Sequence, residues 1–319
     1  MRGLILLVAL FLSAFFPGPI LAQQPFKSSV DLVVLNVTVI DGSARGDKPR
    51  FVRGLAEKDF VVYENGIGQD IAFFTQSDVP IEIALIIDTS ASMTDKMQMA
   101  KEAAIGFIRN LRPQDSAEIL GCDARIRIFQ TFTNDKDKLE KSIELISAGG
   151  STSLYNAIYV AVNEFKKNRG SSNDIRRQAI VVLSDGEDTS SLITFDESLQ
   201  TAQKANIAIY AISLKSGPIT TTSRRYFNQS DFVMTRFASE TGGRSISAIR
   251  PEDLRDIYSN ILDEIMSQYT IGYESSNKIA DGKWRAVIVQ ALKPNVTVRT
   301  RKGYEGPTPS GVRDKEKSK

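Results

Sequence analysis

Ile81-Glu-Ile-Ala-Leu-Ile-Ile-Asp-Thr-Ser-Ala-Ser-Met93 is the stretch whose reading decides the fold. Its isoleucine-rich start has the length and composition of a strand buried on both faces of a parallel sheet, where apolar runs are continuous rather than alternating. The run stops at Asp88, and hydroxyls follow at Ser90 and Ser92. Along an extended tip alternate side chains share a face, so all three can turn toward one point. A carboxylate and two hydroxyls are hard oxygen donors, which suit Mg²⁺ or Mn²⁺. Asp and Ser after a strand also cap the helix that follows, so these three residues alone do not separate a cation site from a cap.

Outward from this stretch the period changes to that of helices. Met97, Ala100, Ala104, Phe107, Ile108 and Leu111 form one apolar stripe. Residues 117–122 and 125–132 read as two strands around a tight turn, one of them an antiparallel edge. A short helix is expected over 135–147, a second from Leu154 to Phe165, and a buried strand over 178–183 that ends at Ser184-Asp185-Gly186. Helices near 196–205 and 231–240, strands at 207–213 and 244–248, and a last helix opened by Pro251 complete the alternation. Strands alternating with helices at this spacing predict an α/β fold over 81–268: a doubly wound, mostly parallel, Rossmann-like sheet flanked by helices.

In such a sheet, ligands bind beyond the carboxyl ends of the central strands, at the topological switch point. Asp185 ends its strand as Asp88 ends the first, and Thr152 lies in the loop Gly149-Gly-Ser-Thr-Ser-Leu-Tyr155 at a helix entrance. The ordered set, Asp88-x-Ser90-x-Ser92, then Thr152 after Gly-Gly, then Asp185 in Ser-Asp-Gly, resembles the metal-ion-dependent adhesion site (MIDAS) of von Willebrand factor type A domains. The resemblance implies one Mg²⁺ (or Mn²⁺), with Ser90 and Ser92 as direct ligands and Thr152, Asp88 and Asp185 acting directly or through water. It further implies an open coordination position that a carboxylate of a partner protein fills. Asp95 sits where some members of the family carry a second cation, although a helix N-terminus accounts for it equally. Glu187 and Asp188 read as solvated loop residues near the site.

The flanks are β in character. Residues 23–80 contain an alternating strand from Leu32 to Ile40. A hairpin pattern follows, 60–64, Asn65-Gly66, 69–74, since Asn-Gly favours a type I′ turn. Three strands are expected at 269–274, 284–290 and 296–300, pairing with those of 23–80, so that 81–268 is inserted between two halves of a small immunoglobulin-like β domain. Leu55-x-x-x-Asp59-Phe60-x-Val62-Tyr63-Glu64-Asn65-Gly66 before the insert looks like a segment of a family of exported bacterial von Willebrand-A-related proteins. Tyr269-x-x-Gly272-Tyr273, Asp281-Gly282 and Arg301-Lys-Gly-Tyr304 after it resemble that family's closing strands. Trp284 is expected to pack within this unit, and 306–319, highly charged, to be disordered. The loop 215–230, carrying Arg224, Arg225, Tyr226 and Phe227, should emerge on the rim of the cation site, as a partner surface or a mobile cover.

Residues 1–22 read as a cleavable signal peptide: Arg2, an apolar run from Leu4 to Phe16, Pro17-Gly18-Pro19, and Ala22 at the cleavage point. No cysteine follows the run, so a lipoprotein is excluded. A secreted or periplasmic location is expected, with membrane contact only if the leader is retained. The sequons at Asn36, Asn228 and Asn295 are expected to be coincidental.

Composition removes whole classes of function. The 319 residues include no histidine, which excludes Ser-His-Asp and Cys-His catalysis and any His-ligated zinc or haem. The single cysteine, Cys122, lies on an expected strand and reads as a small core residue. Forty basic residues against 38 acidic give no bulk charge for nucleic acid. A metal-dependent protein-binding module, not an enzyme, is the leading expectation. The alternatives are a metal-assisted hydrolase using Asp88, Asp185 and Asp188, for which no phosphate-binding loop exists, or an assembly protein with the site vacant.

Overall fold

The computed structural model describes residues 32–43, 48–76, 79–169, 175–185, 188–214 and 229–308. The leader, most of the 215–230 loop, Glu187 and the end of the tail lie outside the described residues. The first strand, β1 (Leu32–Asp41), is followed by β2 (Phe60–Glu64), β3 (Ile67–Gln69) and β4 (Ile71–Thr75). Asn65 (φ 49°) and Gly66 (φ 81°) both take the left-handed conformation of a type I′ turn and return β2 onto β3. The hairpin is shorter than its sequence pattern. Pairing with β2 stops at Gln69, and β4 runs in a different sheet. The alternation of 69–74 thus spans a break at Asp70, where one segment leaves its hairpin to serve a second surface.

The α/β layer begins with β5 (Ile81–Asp88), whose eight residues are all buried. It continues through α1 (Met97–Arg109), β6 (Ser116–Cys122), β7 (Ile126–Thr133), α2 (Lys136–Glu144), α3 (Leu154–Arg169), β8 (Arg177–Ser184), α4 (Phe195–Ala205), β9 (Ala208–Leu214), α5 (Gln229–Thr241), β10 (Ser245–Ala248) and α6 (Leu254–Ser267). The sheet order is β10-β9-β8-β5-β6-β7, parallel except for β7 at the edge. Alternation along β5 divides its side chains between two cores. Ile81, Ile83, Leu85 and Ile87 pack with α1, α2 and α6. Ala84 and Ile86 pack with α3, α4 and α5. From β5 the chain crosses to β6, and from β8 it crosses to β9 on the opposite side, so the direction of winding reverses between the adjacent strands β5 and β8. Their carboxyl ends define the switch point of the sheet.

After α6 the chain returns to β structure with β11 (Tyr269–Glu274), β12 (Trp284–Ala291), β13 (Val296–Arg299) and β14 (Gly303–Glu305). Two four-stranded sheets result, ordered β13-β1-β11-β4 and β14-β12-β2-β3, and each combines strands from both ends of the chain. Val33, Leu35, Val37, Phe60, Val62, Tyr269, Ile271, Val287 and Val289 from both sheets share one apolar core. The pairings establish a two-sheet β unit and stop short of an immunoglobulin-like assignment. Trp284 packs within this unit, its ring lying over Gly303, and is 43% exposed. Residues 306–308 at the start of the tail are tied to the β unit, and 309–319 lie outside the described residues. The Gly306 amide donates to Lys283 O (2.9 Å) and the Pro307 carbonyl accepts from the Gly282 amide (2.9 Å).

A buried carboxylate fastens the two ends of the chain. Glu64, at the end of β2, accepts hydrogen bonds from Tyr273 Oη (2.9 Å), Ser275 Oγ (2.7 Å) and Tyr304 Oη (2.7 Å), with the buried Arg285 guanidinium 3.6 Å away. Glu64 before the insert and Tyr273 and Tyr304 after it thus meet in one network. At the junction with the α/β layer, Arg177 donates to Thr270 Oγ1 (3.2 Å), Ile265 O (3.3 Å) and Gln76 O (3.1 Å), and burial pushes its guanidinium down to about 10.

Two expectations follow from these buried charges. Glu64→Ala leaves Arg285 buried without its carboxylate and should cost about 3–5 kcal/mol in urea unfolding; a loss below about 1 kcal/mol would show that the network fastens nothing. Glu118 in β6 is fully buried, and neither of its carboxylate oxygens has a hydrogen-bond partner among the described residues. Burial pushes its carboxyl up to about 8, with the Glu164 charge adding and Lys167 opposing. A pKa raised on folding gives stability that is complete below the unfolded value, 4.5, and is lost as pH rises through about 8. Unfolding free energy should therefore fall across that window, and Glu118→Gln should flatten the fall. An identical pH profile in the variant would contradict the assignment.

Candidate metal centre

Asp88 stands at the carboxyl end of the central strand, so the run that buries β5 also carries this carboxylate below the surface, at 0% exposure. Its side chain falls on the face of the sheet shared with Ala84 and Ile86, and so does Ser184 at the end of the adjacent β8. Ser184 Oγ donates to Asp88 Oδ2 (2.5 Å), and the Ser90 amide donates to Oδ1 (2.8 Å). Burial nonetheless pushes the Asp88 carboxyl above its usual range, opposed by the hydrogen bonds from Ser184 and Ser90 and reinforced by the charge of Asp185. The desolvation cost of the anion outweighs the donors around it.

The cluster continues from Asp88 without a break. Ser90 Oγ and Ser92 Oγ lie 3.0 Å apart, and Ser92 Oγ donates to Asp185 Oδ1 (2.6 Å). The other oxygen of Asp185 pairs with Lys96 Nζ. Asp88, Ser90, Ser92 and Asp185, drawn from the ends of β5 and β8, are thereby joined in one hydrogen-bonded chain at the switch point.

The loop that carries Thr152 is fastened against this tip by backbone contacts. The Gly149 amide donates to Thr89 O (2.7 Å), and the Ala91 amide to Gly150 O (3.0 Å). Gly150 has φ +99°, a conformation that favours glycine, and a Cβ there would sit tightly, 3.3 Å from Asp123 Cβ. Thr152 itself is buried, its carbonyl accepting from the amides of Thr189 (2.9 Å) and Ser190 (3.1 Å) and its amide donating to Thr189 Oγ1 (3.1 Å). All of these bonds run through its main chain, so they place the loop rather than the hydroxyl.

Residues beyond the motif take definite roles. Asp188 accepts from the Tyr155 amide (2.9 Å), the Ser191 amide (3.0 Å) and Ser191 Oγ (2.6 Å), capping the first turn of α3. Asp95 is exposed. Cys122 is fully buried at the end of β6, and burial pushes its thiol well above the usual range. Two participants were invisible to pattern reading. Ser184 was legible only as part of the Ser-Asp-Gly turn; its place one residue before Asp185, facing the Asp88 side of the adjacent strand, was the available signal. Lys96 reads in sequence as the start of an amphipathic helix, and nothing there points its side chain at Asp185.

The donor set fits a hard divalent cation. Two carboxylates and the hydroxyls of Ser90 and Ser92 lie together, one carboxylate is buried beyond what its own donors offset, and a lysine ammonium already sits against the other. Among the described residues no group of three or more Asp, Glu, Cys or His side chains is placed to hold a metal ion.

Comparison with known proteins bears on the fold and on one stretch of sequence. Residues 83–187 match the family profile of the von Willebrand factor type A domain. A von Willebrand factor type A protein from Catenulispora acidiphila has the same fold, with a TM-score of 0.52 and 12% identity over 89% of this chain and 76% of that one. Proximal thread matrix protein 1 of the mussel byssus, solved with a zinc-occupied MIDAS motif, aligns with a TM-score of 0.50 and 14% identity over 60% of this chain and 49% of that chain. In sequence, an uncharacterized protein of Borreliella burgdorferi is 26% identical over 145 residues, 42% of this chain. The protein sll0103 of Synechocystis is 28% identical over 112 residues, 34% of this chain. The chain spans 41% and 26% of the lengths of these two relatives. Residues 83–187 thus resemble the von Willebrand factor type A domain in sequence, and the α/β layer shares its fold.

Ser184→Ala removes a hydrogen bond from a fully buried carboxylate oxygen and should cost about 1–3 kcal/mol, read from the urea midpoint of the protein in EDTA. A variant as stable as the parent would mean that Ser184 does not hold Asp88.

Proposed function

We propose that this protein is an exported binding module that grips a carboxylate of a partner protein through one Mg²⁺ or Mn²⁺ held by Asp88, Ser90, Ser92, Thr152 and Asp185. The observation that carries this reading is the unbroken hydrogen-bonded chain from Asp88 through Ser90 and Ser92 to Asp185 at the switch point. When bound, the cation would supply electrophilic charge for an incoming carboxylate. The chain's own residues do the rest. Ser184 and the Ser90 amide orient Asp88, and the sheet below excludes water from it. Ser90 and Ser92 offer neutral oxygens, so they do not quench the ion's charge, and Thr152, on a loop fastened to Thr89 and Ala91, would complete the set. The zinc-occupied motif of the mussel byssus protein lends support from a shared fold.

A hydrolase is the weaker reading. Asp188, the carboxylate such chemistry would recruit, has both oxygens engaged, Oδ2 by the Tyr155 amide and Ser191 hydroxyl and Oδ1 by the Ser191 amide, and a chain without histidine lacks the usual general base. Export rests on the leader-like sequence of residues 1–22.

Capture of partners from the exported proteome tests the proposal. Partner binding should be lost in EDTA and restored by Mg²⁺, and Asp88→Ala and Ser90→Ala should each weaken Mg²⁺ affinity about tenfold or more. Metal affinity and partner binding both unchanged in these variants would overturn it.

A further inference from the structure

Lys96 lies at the N-terminal boundary of α1, where the helix dipole disfavours a cation. The side chain is nevertheless drawn in. It is only 14% exposed, and its ammonium sits on the Asp185 carboxylate, whose own side chain is 0% exposed. Asp185 thus has each oxygen engaged from within the chain, Oδ1 by the Ser92 hydroxyl and Oδ2 by Lys96. An ammonium is a compact point charge with three donors and no acceptor. Here it supplies positive charge against Asp185, the second carboxylate of the cluster.

From this we infer that Lys96 is a tethered competitor for the cation, so that loading the site exchanges an internal ammonium for a divalent ion. The inference rests on the reading of this cluster as a cation centre. Asp185 cannot serve the ammonium and the ion at full strength together, because like charges at this separation repel in a partly desolvated site. The apparent affinity for the ion is therefore the intrinsic affinity reduced by the strength of the Lys96–Asp185 pair. The same exchange gives the ion-free site a defined closed state. Lys96 acts through Asp185, which makes it a positioning residue for the ion.

The test compares the full chain with Lys96→Met, Lys96→Gln and Lys96→Arg, using Mn²⁺ binding followed by electron paramagnetic resonance and thermal unfolding with and without Mg²⁺. Lys96→Met and Lys96→Gln, which remove the charge, should bind Mn²⁺ about tenfold or more tightly than the parent. They should also melt lower in EDTA and gain more from added Mg²⁺, while Lys96→Arg should stay near the parent. Two neutral variants make the result independent of a folding defect in either one. Parental Mn²⁺ affinity that is equal to or tighter than that of both neutral variants would overturn the competitor role and leave the cation centre standing. Absence of saturable, Asp88-dependent Mn²⁺ binding in the parent and variants alike would overturn both.

Discussion

The structure depends on the burial of one carboxylate. Asp88 closes a strand with no exposed residue, and desolvation works against its charge even with donors from Ser184 and Ser90 in place. Everything around it answers that demand. The neighbouring strand β8 contributes Ser184 and the following turn contributes the Ser90 amide, while Asp185, just past the end of β8, adds a second negative charge instead of relieving the first. Such an arrangement is costly as a helix cap, which needs only an exposed oxygen. It makes physical sense as a place where positive charge is expected, from Lys96 or from a divalent ion.

The setting of the site follows from the ends of the chain. Strands from before and after the α/β layer build two shared sheets, fastened by Glu64 with Tyr273, Ser275 and Tyr304, while Arg177 ties the start of β8 to both Gln76 and Thr270. These contacts lie at the amino end of β8, and Asp185 lies past its carboxyl end. The central sheet is therefore anchored at one edge of its strands and carries the hydroxyl cluster at the other.

The α/β fold was legible because continuous apolar runs and helical stripes have different periods, and each run such as 81–87 is long enough to be unambiguous. The hairpin around Asn65-Gly66 was legible in its turn but not in its length, because alternation across Asp70 looks the same whether one sheet or two are served. Lys96 and Ser184 were not legible as neighbours of the acidic pair. Their roles come from the pairing of β5 with β8 and from the entry of α1, and neither is encoded in local spacing. Glu118 was missed for the opposite reason: a single acidic residue in an apolar strand carries no pattern that separates burial from an exposed edge.

Anomalous diffraction from crystals of the protein grown with Mn²⁺ tests the central claim most directly. A single strong peak within coordination distance of Ser90 Oγ, Ser92 Oγ and a carboxylate oxygen of Asp88 or Asp185, directly or through water, is expected, with the Lys96 ammonium displaced from Asp185. A saturated crystal with no peak between the ends of β5 and β8, or with Mn²⁺ bound only elsewhere, would contradict the assignment of this cluster as a cation centre.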